Sequence, residues 1–318
     1  MPKPGIFVTQ NIPQPALDRL EEVFSLSIHA SDQAITRAQL LAAVKESEAL
    51  LCLLTDTIDR ELLDAAPKLK CVSNLAVGYN NIDLEYASSR NIVVCNTPGV
   101  LTESTADLTW ALLLACARRV VEGDSFVRAG RFEGWGPMLM LGVDVFAKTI
   151  GIIGMGRIGS AVARRAEGFG MKVLWFDPLI DPQTVSAKYE RTDLRHLCAS
   201  SDFISIHAPL TPATRHLINA ELLALMRPHT VLVNTARGPI VNEAALIEAL
   251  RDNGIFAAGL DVFEHEPEIP AELLAQDNAV LLPHIGSASV ETRTKMALMA
   301  AENAIAVIQG TEPPARVN

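Results

Sequence analysis

The chain of 318 residues lacks a basic surplus, a paired-cysteine pattern and any apolar run long enough to cross a membrane. Each absence counts against something. Lysine and arginine number 27 against 37 aspartates and glutamates, a formal charge of -10. Phosphate backbones draw on a basic surface, so this charge argues against a nucleic-acid partner. It does not exclude a small anionic substrate, which needs only a locally positive pocket. The five cysteines, Cys52, Cys71, Cys95, Cys116 and Cys198, are odd in number and form no C-x-x-C pair. They lie mostly in apolar runs such as "ALLCLL" and "IVVCNT". That pattern reads as small buried thiols in a reducing cytoplasm, with no disulfide frame and no metal site. The longest apolar stretch, "WALLLACA", stops at Arg118-Arg119, far short of a membrane span. The opening "MPKPGIFVTQ" is too short and too broken for a signal peptide. Low-complexity tracts and short-period repeats are also missing.

What is present is ordinary for a globular protein: 49% hydrophobic and 20% charged residues, in a chain long enough for two domains. "GIFVTQ", "ALLCLL", "KCVSN" and "NIVVCNT" read as strands, with helices at "ALDRLEEVF" and "ELLDAAPKL". "ESTADLTWALLLACARRVVEGDSFVR" reads as one long helix, with Glu103, Ser104 and Asp107 suited to its positive end. "AGRFEGWGPMLMLGVDVFAKT" has no clear period and reads as a loop or arm. From Lys148 the alternation starts afresh, through "TIGIIG", "KVLWFD", "DFISIHAP", "TVLVNTA", "IFAAGLDV" and "AVLLPH" as strands with helical segments between them. The last helix, "SVETRTKMALMAAENAIAVIQG", carries Met296 and Met299 as core packing. Strands alternating with helices predict an α/β protein with two doubly wound parallel-sheet, Rossmann-like domains. The second, 101–287, is inserted into the first, 1–100 plus 288–318, because the chain ends in a helix with no further strand. The expected ligand site is a cleft between the two.

"GIIGMGRIGS" carries G-x-G-x-x-G at Gly154, Gly156 and Gly159. Alone the pattern is weak, but here an apolar strand precedes it and an Ala-rich helix follows. The first glycine makes a tight turn, the second admits a pyrophosphate, and the third lets helix and strand pack closely. Asp177 ends the next strand, where a carboxylate accepts hydrogen bonds from the adenosine ribose and repels a 2'-phosphate. With no arginine read beside it, the expectation is NAD, NADH being preferred over NADPH.

Hydride addition to a carbonyl puts negative charge on oxygen, so a reductase site needs a proton donor and a cation. Three strand ends offer candidates: Arg237 in "VNTARGPIV", Asp261 and Glu266 in "GLDVFEHEPE", and His284 in "LLPHIGSA". In open α/β sheets ligands bind beyond the carboxyl ends of strands, where all of these fall. Arg237 suits a carboxylate or keto oxygen, His284 suits proton donation near neutral pH, and Glu266 suits the role of its partner. Asp261 is read as holding the nicotinamide side.

"LAVGYNNID", "NTPGVLTESTAD", "GIIGMGRIG", "HAPLTPATRHLIN", "LVNTARGPIV", "GLDVFEHEP" and "PHIGSA", in this order, resemble the D-isomer-specific 2-hydroxyacid dehydrogenase family. "EGWGPMLMLG" and "PHIGSASVETRTKMA" are similar to its glyoxylate/hydroxypyruvate reductase and 2-ketogluconate reductase branch. The resemblance implies a catalytic triad of Arg237, Glu266 and His284. It implies cofactor contacts from Thr105, Arg157, Ile158, His207, Ala208, Pro209, Thr214, Thr235, Ala236, Asp261 and Gly286, beside the glycine loop and Asp177. Substrate contacts are implied for Leu54, for the amides of Val77 and Gly78, and for Trp135, reaching from a second subunit of a homodimer. Several relatives depart informatively. Phosphite dehydrogenases place lysine where Val77 stands, and phosphoglycerate dehydrogenases have arginine near Asn74. Many relatives carry Asp where this chain has Asn80. The expectation is an NADH-linked reductase of a small 2-keto acid, glyoxylate or hydroxypyruvate. 2-Ketogluconate is the alternative substrate, and an NAD-sensing corepressor-like binding protein is the alternative class.

Overall fold

A computed structural model describes residues 2–31 and 33–318. The chain divides into two compact units, Met1–Leu101 with Ser287–Asn318, and Thr102–Gly286.

In the first unit the strands are β1 (Gly5–Val8), β2 (Ser25–Ile28), β3 (Ala49–Cys52), β4 (Cys71–Asn74) and β5 (Val93–Cys95). All pair in parallel in the order β2-β1-β3-β4-β5. Its helices are α1 (Gln14–Val23), α2 (Arg37–Ala43), α3 (Arg60–Ala65) and α4 (Leu84–Ser89), with the chain's last helix, α12 (Val290–Gln309). Side chains alternate across a strand, and the core follows that period. Ile6, Val8, Ala49 and Leu51 face α1 and α12. Phe7, Leu50, Cys52 and Val72 face α2, α3 and α4. The first face needs α12: Met296, Ala297, Ala300, Ala301, Ala304 and Ile305 cover it. Burying Met296 and Ile305 contributes about 1.5–3 kcal/mol each, and each alanine less, which is why the chain returns here for its final helix.

The second unit holds β6 (Thr149–Ile153), β7 (Lys172–Phe176), β8 (Glu190–Arg191), β9 (Phe203–Ile206), β10 (Val231–Asn234), β11 (Ala257–Leu260) and β12 (Ala279–Leu281). These are parallel in the order β12-β11-β10-β9-β6-β7-β8. Helices α5 (Thr102–Ala117) and α7 (Arg157–Gly168) cover one face, packing on Ile150, Ile152, Val231 and Val233. Helices α8 (Leu194–Ser200), α9 (Ala220–Leu225) and α10 (Glu243–Arg251) cover the other, packing on Ile153, Ile204 and Leu232. The short α11 (Ala271–Leu274) completes that side.

The long helix expected from 103 to 128 is two helices. α5 ends at Ala117, and α6 (Val120–Arg128) starts beyond Arg119, whose φ is +52°. The cause is a chain crossing: the Val143 amide donates to the Ala117 carbonyl at 2.9 Å, capping α5 from outside. Arg119 then turns to grip Glu122. The expectation of no strand beyond the final helix needs one addition, an isolated antiparallel bridge of Arg316 with Cys95. Strands β2 and β8 and helices α2, α4 and α11 were not read from the sequence. Among the described residues no helix is long and apolar enough to cross a membrane, and all five cysteines are free and buried.

Candidate active site

In the second unit the chain leaves β6 and turns one way to β7 and β8, then returns to β9 on the other side. The carboxyl ends of β6 and β9 therefore flank the switch point, where open α/β sheets bind ligands. Gly154 follows β6 with φ +92°. A Cβ there would sit 2.6 Å from the His207 carbonyl carbon and the Ala208 amide nitrogen, so only glycine lets the two loops touch. A Cβ at Gly159 would lie 2.0 Å from the Gly154 carbonyl oxygen, which seats α7 hard against the loop. A Cβ at Gly156 would meet nothing within 4 Å. Gly156 is also the N-cap of α7 and offers no side-chain cap. By contrast α2, α3, α8, α10 and α12 all begin on a capping Thr, Asp, Asn or Ser. The first-turn amides of α7 are thus left for an anion in front of an open glycine, which fits a dinucleotide's pyrophosphate.

Asp177 stands just past β7. Its carboxylate accepts the Met155 amide and the Leu179 amide, each at 2.9 Å. The glycine loop and the turn after β7 are therefore fastened together. The sequence reading found no arginine here, and that is corrected: Arg191, on the neighbouring β8, donates to the Asp177 carbonyl oxygen at 3.3 Å and lies over the Trp175 ring. It was hidden because β8 is only two residues long and pairs with β7 across a long turn, Leu174 with Glu190 and Trp175 with Arg191. His207 lies in the loop beyond β9, its Nε2 2.8 Å from Ser205 Oγ. Burial pushes its pKa down to about 3, so the ring is neutral. Thr214 spends its hydroxyl on the turn that carries Pro209, donating to the Pro209 carbonyl at 2.6 Å. Arg157 is exposed and Ile158 half-buried in the first turn of α7, while Ala208 and Ala236 are half-buried in loops.

The proposed triad assembles from three strand ends of one sheet. His284 Nδ1 lies 2.8 Å from Glu266 Oε2. The other Glu266 oxygen accepts the Phe263 amide at 3.0 Å. Burial raises the Glu266 carboxyl's pKa, but the His284 hydrogen bond and charge, the Phe263 amide and the Arg237 guanidinium outweigh it. The group is held below the ordinary carboxylate value. Arg237 is desolvated by burial, which lowers its pKa, and the Glu266 charge works against that. Its Nη1 donates to the Ala236 carbonyl at 2.7 Å. Asn234, the last residue of β10, shapes this turn, donating to the Arg237 carbonyl at 2.9 Å and accepting the Ala236 amide at 3.0 Å. Gly238 sets the spacing of the two loops, since a Cβ there would fall 1.8 Å from the Phe263 carbonyl oxygen.

His284 itself has φ +55°, a conformation that needs outside support in a non-glycine residue. Asp261 supplies that support. Its two carboxylate oxygens accept the Ile285 and Gly286 amides, both at 2.7 Å. Ser104 Oγ donates to the Gly286 carbonyl from the other side at 3.1 Å. Asp261, read from the sequence as holding the nicotinamide side, thus spends both oxygens on the loop of His284. Thr105 packs beside Gly286, and its carbonyl accepts from Thr109, whose hydroxyl also pairs with Thr235 at 2.9 Å. Sequence reasoning missed Asn234 and Thr109. The signal for the second was available, since Thr105 and Thr109 are four apart on one helix face.

Of the substrate candidates, Leu54, Val77 and Gly78 lie in the first unit, half-buried in loops after β3 and β4. Trp135 lies in the irregular segment of the second unit, with 85% of its surface exposed. Nothing among the described residues groups three potential metal ligands.

A doubly wound domain with an open glycine cradle, and a carboxylate–imidazole pair beside a half-buried guanidinium, defines a nicotinamide-dependent oxidoreductase of carbonyl compounds. Residues 110–286 match the NAD-binding domain of the D-isomer specific 2-hydroxyacid dehydrogenases. The chain is 50% identical to the glyoxylate reductase of Korarchaeum cryptofilum over 99% of this chain and 96% of that protein. With the glyoxylate reductase of Thermococcus litoralis it shares 48% identity over 99% and 97%. The structure of the NADPH-dependent glyoxylate/hydroxypyruvate reductase of Sinorhizobium meliloti, solved with NADP and malonate, superposes with TM-score 0.87 at 34% identity. That match covers 99% of this chain and 97% of the other. This chain belongs to the D-isomer specific 2-hydroxyacid dehydrogenase family.

Proposed function

We propose that the protein reduces glyoxylate or hydroxypyruvate with NADH, giving glycolate or D-glycerate. The observation that carries this reading is the 2.8 Å pairing of His284 with Glu266, on the same sheet edge as the dinucleotide cradle. The relatives named above, at about half identity along the whole chain, carry the choice of substrate.

The second unit is the cofactor domain and the first the substrate domain. Gly154, Gly156 and Gly159, the start of α7, and Asp177 hold the dinucleotide, whose reduced nicotinamide supplies a hydride to the carbonyl carbon. Arg237 lies against the keto oxygen and stabilises the negative charge that develops there; its desolvation strengthens that interaction. His284 gives its Nε2 proton to the same oxygen. Glu266, kept ionised by its neighbours, fixes the ring through Nδ1. Backbone amides of Val77 and Gly78 receive the carboxylate.

Asp177 supports NADH over NADPH because an added 2'-phosphate would meet a carboxylate. Arg191 works against that only weakly, since its guanidinium is spent on the Asp177 carbonyl and the Trp175 ring. The assembly proposed is a homodimer. α6 buries none of its residues, and Val120, Val127, Phe132, Trp135, Met138 and Leu141 leave a long apolar stretch exposed. Apolar side chains so exposed suit an interface, and a two-fold pairing would set this segment of one copy against the same segment of the other. Free buried cysteines suit a reducing cytoplasm.

The test is a panel of glyoxylate, hydroxypyruvate and 2-ketogluconate with NADH and NADPH at equal concentrations, with sedimentation of the same sample. Fastest turnover of a two- or three-carbon acid with NADH is expected. Failure to oxidise either cofactor with any of the acids would overturn the reading in favour of a binding protein.

A further inference from the structure

We propose that Asn74 and Asn96 are positioning residues that hold three consecutive amides, Val77 to Tyr79, as the receptor for the substrate's carboxylate. This rests on the reading of the chain as a 2-keto acid reductase.

The first unit's chain leaves β4 at Asn74 and runs through a short loop. Three successive carbonyls of that loop are taken. The Ala76 carbonyl accepts the Thr97 amide at 2.8 Å. The Val77 carbonyl accepts Asn96 Nδ2 at 2.8 Å, and the Gly78 carbonyl accepts Asn74 Nδ2 at 2.8 Å. A peptide group is planar and trans, so a C=O and the next residue's N–H point in opposite directions. Fixing the carbonyls of 76, 77 and 78 therefore fixes the N–H bonds of 77, 78 and 79 and turns each away from the donor behind it. Among the described residues none of these three amides has a partner. Val77 and Gly78 are nevertheless half-buried. A run of unpaired N–H groups with fixed directions is a ready anion receptor.

The two asparagines are themselves built in. Asn74 is fully buried, and its Nδ2 also lies 3.4 Å from Asn81 Oδ1. Asn81 in turn donates to the Leu53 and Asp56 carbonyls at 3.1 and 3.0 Å. Asn96 is gripped at its backbone: its N–H donates to the Ala315 carbonyl at 3.1 Å, and its carbonyl accepts Asn303 Nδ2 at 2.9 Å. Asn303, fully buried on α12, accepts the Ala315 amide at 3.0 Å. The last helix thus backs the substrate loop through Asn303, Asn96 and the Val77 carbonyl. Rigid donors aimed in advance at a carboxylate bind substrate and transition state alike, so their loss belongs in KM more than in kcat.

The experiment uses the full chain as Asn96→Ala, Asn74→Ala and Asn96→Asp, the last keeping the size but turning the donor into an acceptor. Glyoxylate kinetics at saturating NADH are paired with calorimetric binding of oxalate, which cannot be reduced, to the NADH complex. KM for glyoxylate and Kd for oxalate are expected to rise together by about tenfold or more, kcat to stay within about threefold, and the Kd for NADH to hold. Asn96→Asp carries the test if an alanine variant fails to fold. Unchanged KM and oxalate affinity in a folded variant would overturn the proposal, as would a fall in kcat alone. If the parent protein reduces no keto acid, the reading of its reaction fails, and oxalate binding weakened in the variants would still uphold the asparagine clamp.

Discussion

The three glycines of the nucleotide loop are predicted to fail in three different ways when each is replaced by alanine. Gly156→Ala places its methyl in open space at a φ of -70°, which alanine adopts freely. The fold loses only a marginal N-cap effect, about 1 kcal/mol or less, or a few degrees of melting temperature. The methyl then occupies the room an approaching pyrophosphate needs. Losing even two charge-assisted hydrogen bonds of about 1.5 kcal/mol each weakens NADH by about a hundredfold. Gly159→Ala does the reverse. Its Cβ falls 2.0 Å from the Gly154 carbonyl oxygen, and only lifting α7 from the loop relieves the overlap. That costs about 3 kcal/mol or more and lowers the melting point by roughly 6–12 °C. Gly154→Ala adds a left-handed backbone penalty of about 1–2 kcal/mol to a clash with the His207 loop, losing stability and cofactor together. Thermal melts beside NADH fluorescence titrations separate the three. A Gly156→Ala protein that binds NADH normally, or a Gly159→Ala protein that melts like its parent, would refute the assignment of roles.

Further outcomes follow from the charges. Glu266→Gln is expected to slow turnover at least about tenfold, because the ring loses the carboxylate that orients it through Nδ1; turnover within about twofold of the parent in a glyoxylate assay would contradict this. In the parent the Glu266 carboxyl is held below 4.5, so the pair's contribution to stability is full above that value and is lost as pH falls through the lower folded value. His207 has the same sign of linkage, in a higher pH window: its folded pKa of about 3 lies beneath the 6.5 of an unfolded histidine. Unfolding therefore takes up a proton, and from pH 7 to pH 5 the fold loses about 2 kcal/mol on this account. Urea titrations at both pH values should show His207→Gln losing that much less than the parent, and equal losses would remove His207 as the cause. Asp177→Asn drops the charge and keeps an acceptor for only one of the two loop amides, and the NADH-to-NADPH ratio of kcat/KM should fall about tenfold; a constant ratio would shift the discrimination elsewhere.

The architecture was legible because buried parallel strands read as apolar runs, and "TIGIIG", "TVLVNTA" and "IFAAGLDV" each became one. What escaped was exposed or short. β2 alternates exposed and half-buried residues without a strong apolar signal, and β8 is two residues paired across a distant turn. The break at Arg119 has no glycine or proline to mark it; it comes from Val143 capping Ala117 across 26 positions. At the site, residue types announced chemistry: a histidine, a glutamate and an arginine at three strand ends. The groups that orient them did not. Asn234 looks like an ordinary strand-end polar residue, and Asp261 like a cofactor contact, until their partners on the loops are placed. Hydrogen bonds between loops 24 and 25 residues apart, as from Ile285 and Gly286 to Asp261, leave no periodic trace in a sequence.

Removal of the imidazole is the sharpest trial of the whole account. His284→Ala, assayed with glyoxylate at saturating NADH and with NADH affinity titrated in parallel, should lose about a hundred- to ten-thousand-fold in kcat while NADH binds within about twofold of the parent. Turnover preserved within about threefold would mean that the proton reaches the keto oxygen by another route.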